Sequence, residues 1–223
     1  PRVSTSLGGL VKLVLYAVIT SYSVLSISVG AGYNLVLLPL SAITAFSFAV
    51  LHGVQRLGWK ALLLLLVSTV VISLAFESIG VATGAIYGSY HYTDKLGPKF
   101  LDLVPDLIPV AWVMVSYPAF ILAVRLVPAR SNVWVWRILV AAAGAAAMTA
   151  WDLAMDPMMV AGGHWVWDQA GEYFDIPVKN FWGWWLTIFV AFLFFLAVGR
   201  VKPEQVRIQD HSFDQLAILS YGL

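Results

Sequence analysis

Three carboxyl side chains sit where a membrane protein rarely keeps them. Asp152 and Asp156, in the run WDLAMDP, are four residues apart on an apolar helical segment and therefore share one face. Ala141, Ala145 and Thr149 precede them on that face, a small-residue stripe suited to a helix neighbour or a ligand and ill suited to lipid. Glu77 lies in a second apolar segment, in the run ESIGVATG. Inserting such acids costs roughly 2.5–3.5 kcal/mol each, so they normally face a bundle interior and mark function. A neutral carboxylic acid in an apolar pocket donates a proton, and a neighbouring carboxylate can orient water or accept one. Convergent carboxyls also suit a divalent cation, although the spacing matches no metal-binding signature.

The elements that position these acids are membrane spans. The chain of 223 residues is 61% hydrophobic and 11% charged, which predicts an all-α polytopic membrane protein, one integral membrane domain over 1–223 with a polar C-terminal tail over 203–223. The tail carries no assigned role. About six stretches are long enough to cross the hydrocarbon core: Leu7 to Val29, Leu35 to Leu57, Lys60 to Gly84, Leu107 to Val127, Val133 to Asp156 and Phe181 to Val201. Re-entrant helices in the loops would raise the count to seven or more. Asp156, just before Pro157, falls at the expected end of its helix. The first segment is too long for a signal-peptide core and is read as a mature helix. Arg2, Arg56, Lys60, Arg125, Arg130, Arg137, Arg200, Lys202 and Arg207 gather at one end, which predicts an N-terminus inside. Glu77, Asp152, Asp156 and the loop acids gather at the other. A rise of 1.5 Å per residue puts Glu77 roughly 25 Å beyond Lys60 and Asp152 roughly 22 Å beyond Arg137, at similar depth.

Two long connections, Ala85 to Asp106 and Pro157 to Asn180, join spans at the acid-rich end. They carry Tyr87, Tyr90, His91, Tyr92, His164, Trp165, Trp167 and Tyr173, and loops this aromatic fold back over something, unless the residues merely form an interfacial belt. Gly80, Gly84 and Gly88 continue the Glu77 stripe if its helix extends that far, and would admit a neighbouring backbone or a flat ligand. Tryptophan is dense, with Trp112, Trp182 and Trp184 among the residues near the acids, and indole faces stabilise cations. His52, at the far end, reads as structural. Cysteine is absent, which removes thiolate, disulfide and iron–sulfur chemistry, and a net charge of +1 without a basic stripe argues against nucleic acid. No Walker loop, dinucleotide fingerprint, serine elbow or HExxH occurs.

The runs ESIGVATGAIYGSYHYTDKLGPK, VAWVMVSYP, WDLAMDPMM, GGHWVW and IPVKNFWGWW together resemble the membrane carotenoid-biosynthesis family that contains the carotenoid 1,2-hydratases and bisanhydrobacterioruberin hydratase. The likeness spans about Leu35 to Val201. It implies addition of water to the terminal C=C of an acyclic (ψ) carotenoid, C40 or C50, without a cofactor or metal, in a multi-pass protein of the cell membrane beside other carotenoid-pathway enzymes. Within that reading Asp152, Asp156 and Glu77 are the catalytic candidates, interchangeable in role. Tyr87, His91 and Asn180 are their supporting partners, and Trp112, Trp182, Trp184, Gly80 and Gly84 bind substrate. A carotenoid end-group cyclase or isomerase would use the same cation. A carotenoid- or lipid-binding membrane scaffold would use the same glycines and indoles and would not need the acids.

Overall fold

The computed structural model describes residues 14, 15, 17, 18, 21, 37–206 and 211–221. Apart from those first five positions, the expected span Leu7 to Val29 and the turn after it lie outside the described residues. The long helices are α1 (Leu37–Leu57), α2 (Trp59–Thr83), α3 (Leu107–Leu126), α4 (Val133–Ala161) and α5 (Val178–Val198). Of these, α2 to α5 are each long and apolar enough to cross a membrane. The protein is an all-α polytopic membrane protein. Gly58 alone separates α1 from α2, at φ 78, a left-handed conformation that glycine adopts freely. Asn132 caps α4, its side-chain oxygen accepting from the amides of Trp134 and Val135 at 2.9 and 3.2 Å.

Helix α3 occupies the centre. Trp112, Tyr117 and Phe120 are almost wholly buried in it, and Phe120 meets Phe192 and Phe195 of α5 edge-on at 5.5 and 5.4 Å between ring centroids. His52 is buried against Tyr117, nitrogen to hydroxyl 2.6 Å, in keeping with a structural role.

Two helix ends differ from expectation. The helix bearing Glu77 stops at Thr83, because Gly84 turns left-handed (φ 66) and caps it by bonding back to the Gly80 carbonyl, so Gly88 leaves the stripe. The helix bearing the aspartates does not stop at Asp156 but continues through Pro157 to Ala161. Proline has no N–H for the carbonyl four residues back, and that carbonyl, of Leu153, accepts instead from the Tyr173 hydroxyl at 3.0 Å. A loop side chain thus completes the helix, and Asp156 lies inside it.

The long connections are built as strands rather than re-entrant helices among the described residues. Strand β1 (Tyr90–Tyr92) pairs antiparallel with β4 (Trp165–Trp167), Tyr90 opposite Trp167 and Tyr92 opposite Trp165. A second small ribbon joins β2 (Lys99–Phe100) to β3 (Val104–Pro105). The described residues of the polar tail, 203–206 and 211–221, are helical and pack on the bundle. After α6 (Pro203–Val206), α7 (His211–Tyr221) lies against α3, with Leu216 and Ala217 buried.

Candidate active site

Alternation in the β1–β4 ribbon decides which loop residues face inward. Successive strand residues point to opposite sides, so Tyr90, Tyr92, Trp165 and Trp167 turn into the bundle while His91 and Val166 face out. Four aromatic rings thereby roof a cavity of about 450 Å³. Its walls are Ser41 and Ala42 of α1, Glu77 of α2, Trp112 and Met114 of α3, the Ala150 to Met159 face of α4, Asn180 and Trp184 of α5, and Tyr221 of α7.

Glu77 is 3% exposed and caged by donors. One carboxylate oxygen accepts from the hydroxyls of Tyr90 and of Tyr92 (3.0 Å), and the other from the Trp112 indole N–H at 3.0 Å. Burial first, and the Glu77 charge second, hold the Tyr90 and Tyr92 phenols well above the ordinary tyrosine range, so both remain donors. Three donors fill three of a carboxylate's four acceptor sites, leaving one on the oxygen that Trp112 touches.

The aspartates are held differently. The Asn180 amide donates to Asp156 at 2.6 Å and to Asp152 at 3.3 Å, so one NH₂ group bridges the two carboxyls. Asp156 also accepts from the Trp165 indole N–H at 2.7 Å. Asp152 is wholly buried, lies behind the cavity wall, and its Oδ1 has no hydrogen-bond partner. Glu77 and Asp156 both line the cavity, approached from α2 and α4. Asn180 reaches the pair because α5 begins at Val178 and places it in the first turn, its own amide bonded to the Pro177 carbonyl at 2.9 Å.

Other expected residues fall in varied places. Tyr87 is 1% exposed, its hydroxyl 2.7 Å from that of Thr187, and its ring fills the space that a Cβ on Gly80 or Gly183 would occupy. Gly80 therefore admits Tyr87 rather than substrate, and Gly84 serves as the helix cap. Trp112 and Trp184 stack at 4.2 Å and 20°, forming one wall. Trp182 is 68% exposed and points away, because two residues along a helix from Asn180 is the opposite side. His91 is on the outer face of its strand, 3.1 Å from the exposed Asp168, and is not a partner of the acids. His164 sits 3.1 Å from the Met159 carbonyl, and burial holds its pKa below the usual range. Among the described residues no group of His, Cys, Asp or Glu is arranged to hold a metal ion. Tyr90, Tyr92 and Trp165, which touch the acids, are marked in the sequence only by the alternating runs YHY and WVW.

The carotenoid biosynthesis protein family matches residues 33–221. The chain belongs to that family. Across 132 residues it is 33% identical to a bisanhydrobacterioruberin hydratase of Haloarcula japonica, covering 59% of this chain and 44% of that protein. No solved structure matches. All the residues that cage Glu77 and bridge the aspartates lie within the family match, as does Tyr221.

Proposed function

We propose that this carotenoid biosynthesis protein is a carotenoid hydratase of the cell membrane, adding water to the terminal C=C of an acyclic C40 or C50 carotenoid without a redox step. The observation that carries the reading is the pairing of a donor-rich Glu77, with one acceptor site left, with a donor-poor aspartate pair across one aromatic, apolar chamber. The likeness to the haloarchaeal hydratase supports it.

Two buried aspartates sharing one amide cannot both be ionised without leaving Asp152 Oδ1 charged and unsolvated; a proton on the pair removes that cost. Asp156 faces the chamber and delivers this proton to the inner, CH carbon of the terminal C=C, leaving a tertiary cation on the dimethyl-bearing carbon. The stacked Trp112 and Trp184 present ring faces to that charge. Water held at the remaining acceptor site of Glu77 forms the C–O bond and gives its proton to Glu77. One water is added, no electrons are exchanged, and return of the proton from Glu77 to the aspartates resets the site. Asp152, behind Asp156, positions it through Asn180.

The test is expression in a cell that makes an acyclic carotenoid, with pigments separated by chromatography and weighed by mass spectrometry. The expected product is heavier by one water. Product of unchanged mass but altered ring structure identifies a cyclase, and unaltered pigment bound to the purified protein identifies a scaffold.

A further inference from the structure

The chamber wall away from the acids includes a residue that the reaction does not use. Tyr221, at the end of α7, lines the cavity, and its hydroxyl donates to the Ala147 carbonyl of α4 at 2.5 Å. Ala147 precedes Asp156 by nine residues, which places this contact about 13 Å along the helix from the proton donor. The helix that carries Tyr221 is anchored. Arg56 Nε meets Asp214 at 2.6 Å, with side chains 10% and 1% exposed, and Arg56 Nη2 donates to the Val206 carbonyl at 2.7 Å. With Leu216 and Ala217 buried as well, α7 is part of the bundle wall.

Asp156 and Tyr221 both line this cavity of about 450 Å³, so a chain whose end group sits at Asp156 and that runs along α4 towards Ala147 meets the Tyr221 ring. Because the Tyr221 hydroxyl is engaged by Ala147, its ring offers the chain a van der Waals surface and no hydrogen bond. We infer that Tyr221 contacts the acyclic chain beyond its reacting end and sets the size of carotenoid the chamber admits. This rests on the hydratase reading, with α7 as part of the substrate site.

The experiment supplies a C40 and a C50 acyclic carotenoid together and measures the ratio of hydrated C50 to hydrated C40 product. Tyr221→Ala enlarges the chamber and should raise that ratio about tenfold, and Tyr221→Trp should lower it by a similar factor, the scale on which sized apolar pockets discriminate. Tyr221→Phe, which keeps the ring and loses the Ala147 bond, should keep the wild-type ratio. Tyr221→Leu replaces the alanine variant if that one fails to fold, with thermal unfolding read for each. Conversion of both substrates falling in parallel, or a ratio unmoved by folded Ala, Leu and Trp variants, overturns the inference while the hydratase reading stands. A wild-type protein that hydrates neither carotenoid overturns the hydratase reading and this inference with it.

Discussion

Glu77 and Asp156 line one chamber, with Asp152 behind its wall, but Glu77 and the aspartate pair are hydrogen-bonded in opposite ways. Glu77 receives three hydrogen bonds from Tyr90, Tyr92 and Trp112, whereas the four aspartate oxygens receive one from Trp165 and a shared amide from Asn180, with Asp152 Oδ1 left over. The difference teaches how a fold can give similar carboxyls different hydrogen-bond environments in one apolar interior. A carboxylate surrounded by donors is stabilised as the anion, and a carboxyl pair short of donors is stabilised by holding a proton.

The comparison breaks most sharply at Asp156. Asp156→Asn keeps the side-chain shape but removes the acid and sets an NH₂ against one of the two N–H donors, of Trp165 and Asn180, and conversion should fall by about 10²–10⁴-fold, the usual contribution of a general acid; wild-type levels of hydrated pigment would assign the chemistry elsewhere. Glu77→Gln should be as inactive and should also be less stable, because replacing a charged acceptor weakens bonds worth about 1.5–3 kcal/mol each. Thermal unfolding in detergent beside pigment analysis reads both effects, and a stable but inactive protein would confine Glu77 to catalysis. Asn180→Ala should lower conversion by about 5- to 150-fold, the effect of losing about 1–3 kcal/mol of buried hydrogen bonding, while leaving the Glu77 cage and substrate binding intact. Tyr173→Phe, which strips the substitute donor from Leu153, should cost about 0.5–1.5 kcal/mol of stability, seen as a small drop in unfolding temperature with pigment product retained. The smallest effects belong outside the chamber: His91→Ala and Trp182→Phe should hydrate like the wild type, and a large loss from either would redraw the site.

Much of the architecture was legible in the chain. Long apolar runs fix α2 to α5, because a helix that satisfies its own backbone is the stable form of such a segment in lipid. The i, i+4 spacing put Asp152 and Asp156 on one face, and counting from Lys60 and Arg137 put Glu77 at their depth. Helix ends were harder: Pro157 reads as a stop unless one knows that the distant Tyr173 hydroxyl will take the orphaned Leu153 carbonyl.

Residue types, their depth and the family were thus determined by the sequence alone, since hydropathy, spacing and motif are local properties of the chain. Contacts between distant segments were decided by the tertiary structure. The pairing of YHY with WVW turned Tyr90, Tyr92 and Trp165 onto the acids and His91 away from them, and the Arg56–Asp214 contact drew an apparently polar tail into the wall. The distinction between Glu77 and the aspartates arose in the same way. All three are carboxyls in apolar helices, and what distinguishes them is the donors delivered from elsewhere in the fold, three to Glu77 and fewer to each aspartate.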